Sequence, residues 1–150
     1  MGIRTHPNLR LRNGSGVTTA NGKAVNSAGH SDKALWGKRA KWVDYWGKVD
    51  DHMVGVAMFD HPENLRHPTW WHARDYGLVA ANPFGIHNFE GKKKGVGDFK
   101  LKKGEQRNFR YGILFHEGNA ESADIAGSYD KWVQAVAELK ARAAERSTDE

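Results

Sequence analysis

Two neighbouring extended segments, residues 41–46 and 53–59, constrain the fold most strongly. In KWVDYW the side chains alternate, which places Val43 and Tyr45 on one face and Asp44 on the other. In MVGVAMF almost every position is apolar, a pattern typical of a central strand buried on both faces. Glycines punctuate the chain between such short runs. These patterns predict a mainly β fold, an antiparallel β-sandwich.

The C-terminal end has a different periodicity. From Tyr129 to about Ala144 apolar residues recur at intervals of three and four, which predicts one amphipathic helix with Ser128 as its N-cap. A chain of 150 residues is long enough for one ordinary domain and too short for two. We therefore expect a single β-rich domain over residues 1–145 and a frayed tail over residues 146–150.

The composition argues against several classes of protein. Cysteine is absent, which excludes disulfides, thiol nucleophiles and thiolate metal sites. The net charge of +5 would suit a nucleic-acid partner, but much of the excess lies between Lys92 and Arg110. We interpret that stretch as a hairpin with a solvated face, in which residues 97–103 lead through Gly104 to a return strand, and we expect no nucleic-acid partner.

The chain also lacks the patterns of membrane insertion and secretion. No segment approaches the roughly 20 consecutive apolar residues that a membrane-spanning helix needs. The first residues, MGIRTHPNLRLRNGSG, contain no apolar core of a signal peptide. We expect a soluble protein without a membrane partner. Its location stays open between the cytoplasm and export directed by a signal upstream of this chain.

Residues 59–85, FDHPENLRHPTWWHARDYGLVAANPFG, concentrate the residues that carry chemistry. The dipeptides His61-Pro62 and His67-Pro68 interrupt any regular structure, so residues 60–68 are predicted to form a loop. Residues 69–76 then regain alternation, which puts His72 and Arg74 on one face of a strand and turns Asp75 away from them.

This segment is compatible with a carbohydrate site. Aromatic rings stack on the apolar face of a sugar, while charged and amide side chains bond its hydroxyl groups. His72 or His67 would act as a general acid or base, with Asp75 or Asp60 as partner. The predicted substrate-binding residues are His61, Arg66, Trp71, Arg74 and Asn82.

Two other interpretations remain open, as does the question of whether the chain is an enzyme. In one, His61, His67 and His72 bind a divalent metal in an oxidoreductase or hydrolase, although their spacing matches no standard metal motif and no metal ligand is assigned. In the other, the segment belongs to a non-catalytic structural module that locks a long loop onto the sandwich. In that module His116, at a strand end, would also be a hydrogen-bonded structural residue.

The string GVAMFDHPENLRHPTWWHARDYGLVAANPFG resembles the signature of a bacterial family labelled "methane oxygenase PmoA", whose function is unknown. The flanking segments AKWVDYWG and LKKGEQRNFRYGILFHEG are also similar to that family, and the resemblance extends from about Asn8 to Trp132. A membrane-bound methane monooxygenase is not expected, because this sequence has no membrane-spanning segment.

The resemblance implies a β-sandwich, with a hairpin like that of the mutarotase-like supersandwich, a fold that binds sugars. It therefore implies a small-molecule or oligosaccharide ligand. The chain corresponds to the C-terminal half of a longer family domain, so the supersandwich would be incomplete. A sheet without its neighbouring strands exposes edges and apolar faces, from which we expect self-association.

Overall fold

The computed structural model describes residues 1–14 and 16–148, which form two antiparallel sheets and a long C-terminal helix. The strands are β1 (Gly2–Arg4), β2 (Lys23–Asn26), β3 (Trp42–Val49), β4 (His52–Asp60), β5 (Trp71–Ala73), β6 (Leu78–Ala81) and β7 (Tyr111–Glu117). The helices are α1 (Ile86–Phe89) and α2 (Ile125–Thr148), with short 3-10 helices at Pro7–Leu9 and Asp32–Leu35. The predicted mainly β class with one C-terminal helix is confirmed.

The larger sheet has the order β2-β3-β4-β7. The alternating segment forms β3 and the apolar segment forms β4, which pairs with β3 on one side and β7 on the other. In this register Val43 lies opposite Met58 and Tyr45 lies opposite Val56. The prediction of a central strand buried on both faces is therefore confirmed.

The smaller sheet has the order β1-β6-β5 and packs on one face of the larger sheet. Its inward side chains include Trp71 and Val79, which join the core formed by Val43, Tyr45 and Met58. The outward residues of β5, among them His72, face away from this core. The stacking of the two sheets thus separates neighbouring residues of β5 into core and surface positions.

Helix α2 covers the opposite face of the larger sheet. Its residues Ile125 and Tyr129 pack against Ala57 and Phe59 of β4. Because Ile125 is fully buried there, the helix begins before the predicted start at Tyr129. It continues through Thr148, into the predicted tail, and residues 149 and 150 lie outside the described part.

The predicted hairpin before β7 is wrong. Residues 97–103 form no strand and their side chains are almost all exposed, so they contribute no buried face to hold an extended segment. Strand β7 is consequently an edge strand among the residues described. No helix within residues 1–14 and 16–148 is long and apolar enough to cross a membrane.

Candidate functional site

The predicted His-Pro loop is organised around the buried carboxylate of Asp60, the last residue of β4. Asp60 Oδ2 lies 2.7 Å from His67 Nδ1 and accepts a hydrogen bond from the Thr69 amide at 2.9 Å. Its Oδ1 accepts from Asn64 Nδ2 at 2.8 Å. Because a carboxylate only accepts, His67 Nδ1 is the donor of this pair. The predicted alternative in which Asp60 partners His67 is thus present in the geometry.

His61 lies in the same loop but is buried against α2. Its Nδ1 accepts from the Glu63 amide at 3.2 Å, and its ring meets Trp132 edge to face at 5.4 Å. Its Nε2 is buried and has no hydrogen-bond partner within the described residues. Burial, chiefly, lowers the pKa of His61, so the ring is neutral near pH 7. The structure gives His61 no open face toward a substrate.

The side chains of Arg66 and Asn82 form hydrogen bonds with backbone groups. The Arg66 guanidinium donates to the carbonyl oxygens of Pro83 and Gly97 at 2.7 and 2.6 Å. Asn82 Oδ1 accepts from the Phe84 amide at 3.1 Å. The Arg66 contacts tie the His-Pro loop to the segment that follows β6, whereas the Asn82 contact lies within that segment. Both contacts are structural, which leaves the predicted role of these residues in substrate binding unsupported.

Trp71 is fully buried and donates from Nε1 to the carbonyl oxygen of Ala40 at 2.9 Å. A ring in the core presents no face to a sugar, so the structure does not support the stacking role predicted for it. The adjacent Trp70 points outward but is covered, with the Arg39 guanidinium 4.4 Å above its ring. Its Nε1 donates to Glu90 at 3.0 Å.

His72 and Arg74 share the outer side of the smaller sheet, as predicted. Burial, and to a smaller extent the charge of Arg74, lowers the pKa of His72, which keeps its imidazole neutral near pH 7. The Phe89 ring meets His72 edge to face at 6.1 Å. The strand predicted over residues 69–76 ends at Ala73, and Asp75 lies in the turn that follows and pairs with Arg12 at 2.6 Å. His72 and Asp75 therefore do not form an acid-base pair.

An open cleft of about 270 Å³ adjoins Arg74. We name it the Arg74 cleft, and its lining residues are Arg12, Lys33, Trp36, Ala73, Arg74, Asp75 and Tyr76. The Arg74 guanidinium carbon lies 5.8 Å from the centre of the Trp36 ring and 5.6 Å from that of Tyr76. Sequence reasoning missed Arg12, Lys33 and Trp36, because no local pattern brings these distant segments together.

The structure does not assemble the three histidines proposed as metal ligands. His61 and His67 lie in the loop beside Asp60, whereas His72 lies on the outer side of β5. No group of three or more His, Cys, Asp or Glu side chains within residues 1–14 and 16–148 is arranged to hold a metal ion. The geometry gives no support to the metal-dependent alternative.

A second histidine-carboxylate pair lies on the α2 side of the larger sheet. His116 of β7 reaches across β4 to Asp44 of β3, with Nε2 and Oδ1 2.8 Å apart. Gly55 permits this crossing, because a Cβ there would overlap the imidazole. Burial lowers the pKa of His116, but the hydrogen bond and charge of Asp44 outweigh it and the pKa is raised. The prediction that His116 is hydrogen-bonded is confirmed.

Comparison with known proteins identifies a family and no activity. No curated protein and no solved structure matches the chain. Nothing in the comparisons links it by name with PmoA. A family model described as "Family of unknown function (DUF6807)" matches residues 1–130, which is most of the chain. The chain therefore belongs to the DUF6807 family of unknown function.

Proposed function

We propose that this protein binds a carbohydrate in the Arg74 cleft. The observation that carries the proposal is the combination of two aromatic side chains with four charged ones around one open depression. Sugars need a flat apolar surface and several directional hydrogen bonds, and this lining offers both. The cleft volume of about 270 Å³ is close to the lower end of the roughly 300–1,000 Å³ typical of ligand pockets, which suits a small ligand such as a monosaccharide.

The aromatic part of the cleft comes from Trp36 and Tyr76. Trp36 keeps 36% of its surface exposed although it follows the buried Leu35, so part of its ring is open to solvent. Burying such a ring against the C–H face of a pyranose removes apolar surface from water, at roughly 25 cal/mol per Å². Trp36 takes the stacking role that Trp71 cannot fill.

The polar part comes from Arg74, Asp75 and Arg12. Arginine offers five N–H donors in a planar arrangement, and a carboxylate accepts from hydroxyl groups, so these side chains supply both kinds of partner that a sugar hydroxyl requires. The Arg12 pair holds the carboxylate of Asp75 in place beside the cleft. His72, whose pKa is lowered chiefly by burial, lies two residues before Arg74 and outside the lining of the cleft.

The proposal is tested by calorimetric titration of the purified chain with a panel of mono- and oligosaccharides. We expect binding that Trp36→Ala weakens about tenfold or more, since stacking on a sugar contributes on the order of 1.4 kcal/mol. Phe115→Ala is the matched control, because Phe115 is an exposed aromatic residue on a different strand outside the cleft. A folded protein that binds no member of the panel would refute the proposal.

A further inference from the structure

We infer that the saccharide bound in the Arg74 cleft carries a carboxylate, as a uronic acid does. This inference rests on the proposed function and narrows it. The cleft is lined by three cationic side chains and only one anionic side chain. A neutral sugar carries no negative charge that could neutralise this excess of positive charge.

The single carboxylate in the cleft is already engaged. Asp75 Oδ2 lies 2.6 Å from Arg12 Nε, so that pair is internally compensated. Arg74 and Lys33 form no ion pair with any residue in the described part of the chain. Two positive charges at the cleft thus remain available to an incoming anion.

The geometry of Arg74 favours an anion that accepts two hydrogen bonds side by side. Its guanidinium lies near the rings of Trp36 and Tyr76, at 5.8 and 5.6 Å from their centres. Stacking on aromatic rings restricts the orientation of the guanidinium while leaving its N–H groups free at the edge. Such a fork matches the two oxygens of a carboxylate. Less side-chain entropy is then lost when the ligand binds.

Further positive charge lies just beyond the cleft. The Arg4 guanidinium carbon is 5.1 Å from the centre of the Tyr76 ring, on which Arg74 also packs. Two arginines around one tyrosine create a local field that attracts anions and repels cations. Because these groups are at the surface, their attraction is screened when the Debye length falls below about 10 Å, near 0.1 M salt.

Matched pairs of sugars that differ only at carbon 6 provide the test. The full chain is titrated with D-glucuronic and D-galacturonic acid, and with D-glucose and D-galactose, at low and high salt. We expect at least one uronic acid to bind about tenfold or more tightly than its neutral partner, and the preference to shrink at high salt. Equal binding of acid and neutral sugar would overturn the inference while leaving carbohydrate binding intact.

Two variants distinguish the effect of a positive charge in the cleft from the effect of the net charge of the protein. Lys33→Gln removes one exposed cation of the cleft and is expected to reduce the preference for the uronic acid over its neutral partner several-fold. Lys131→Gln, which removes an exposed cation from α2 on the far side of the larger sheet, is the control and should leave the preference unchanged. An equal loss in both variants would overturn the inference.

A third arm identifies the anionic group. D-glucose 6-phosphate carries its charge at the same carbon but presents a tetrahedral group. A guanidinium fork can donate to two oxygens of either group, so this comparison is decided by measurement, and the inference predicts weaker binding of the phosphate than of the uronic acid. Tighter binding of the phosphate would overturn the assignment to a carboxylate. Failure of every sugar, acidic and neutral, would instead remove the proposed function on which the inference rests.

Discussion

His116 and Asp44 form an ion pair at a position where a sheet normally buries apolar side chains. Asp44 is fully buried, and its Oδ2 has no hydrogen-bond partner within the described residues. The imidazole donates from Nε2 to Asp44 and from Nδ1 to the carbonyl oxygen of Glu117 at 3.2 Å, which uses both nitrogens as donors. Only protonated histidine has two N–H donors, so the surroundings of His116 favour its cationic form.

The pH dependence of stability should reveal this pair. The pKa of His116 is raised in the folded state, so its contribution is fully present below the unfolded value of about 6.5 and is lost as pH rises through the folded pKa. We expect His116→Gln to lower the free energy of unfolding by roughly 3 kcal/mol at pH 5.5, because Asp44 loses its charged partner. The difference should shrink as pH rises toward 9.

Urea unfolding of both proteins between pH 5 and 9 measures this difference. The lowered pKa values of His61 and His72 change the free energy of unfolding with pH in the opposite sense to that of His116. Because both residues are present in the two proteins, their effects cancel in the comparison. A difference that stays constant across this range would contradict the account of His116.

At single positions, the sequence predicted which side chains share a face better than it predicted which face is buried. Alternation along residues 69–76 correctly placed His72 with Arg74, but the strand ends at Ala73, and Asp75 lines the Arg74 cleft together with Arg74. It also placed Trp71 on the face opposite His72, but which face is buried depends on the sheet that packs there, and this is a long-range property. For the same reason Trp36 and Arg12 could not be assigned to the cleft before the fold was known.

Among the elements, those with a strong local pattern were predicted and those without one were not. Strands β3 and β4 and helix α2 each carry an apolar period that matches their burial. Residues 97–103 alternate charged and apolar side chains, yet no sheet or helix buries their apolar side, so alternation alone did not produce a strand. Patterning specifies an element only where a partner surface exists.

The His-Pro loop is an element held by one carboxylate, and its stability can be tested through Asp60. Asp60→Ala removes the acceptor shared by Asn64, Thr69 and His67. We expect the variant to lose roughly 3 kcal/mol of unfolding free energy, since buried donors are left unsatisfied. Hydrogen exchange at the Thr69 amide, which donates directly to Asp60, should accelerate strongly.

A suitable control is Asp130→Ala, because Asp130 is exposed on α2 and the substitution removes the same charge. That variant should change neither the unfolding free energy nor exchange at Thr69 by a measurable amount. Unchanged exchange at Thr69 in Asp60→Ala would contradict the role assigned to the carboxylate.

At the scale of the whole molecule, one side of the sandwich is open. An apolar cavity of about 660 Å³ lies between the N-terminal segment and the larger sheet, and its lining includes Ile3, Leu9, Val54 and Phe115. Phe115 is 79% exposed on the edge strand β7. Unpaired edges with exposed apolar side chains favour pairing with another chain.

We expect two copies to associate through antiparallel β7 strands. A register centred on Leu114 places Phe115 of each copy opposite Ile113 of the other, which buries both exposed side chains. Sedimentation velocity over a range of protein concentrations should show a monomer-dimer equilibrium that Phe115→Lys shifts toward monomer. Leu139→Lys is the control, because Leu139 is 65% exposed on α2. A wild-type chain that stays monomeric at high concentration would contradict this expectation.

The central claim is that the Arg74 cleft binds a saccharide, and nuclear magnetic resonance tests it most directly by locating the bound ligand. Backbone amide shifts would be recorded while the uronic acids and the neutral sugars are added in turn to the labelled chain. The account predicts saturable changes grouped at residues 33–37 and 73–77, together with the indole N–H signal of Trp36. Changes confined to the His-Pro loop at residues 61–68, or no saturable change anywhere, would contradict it.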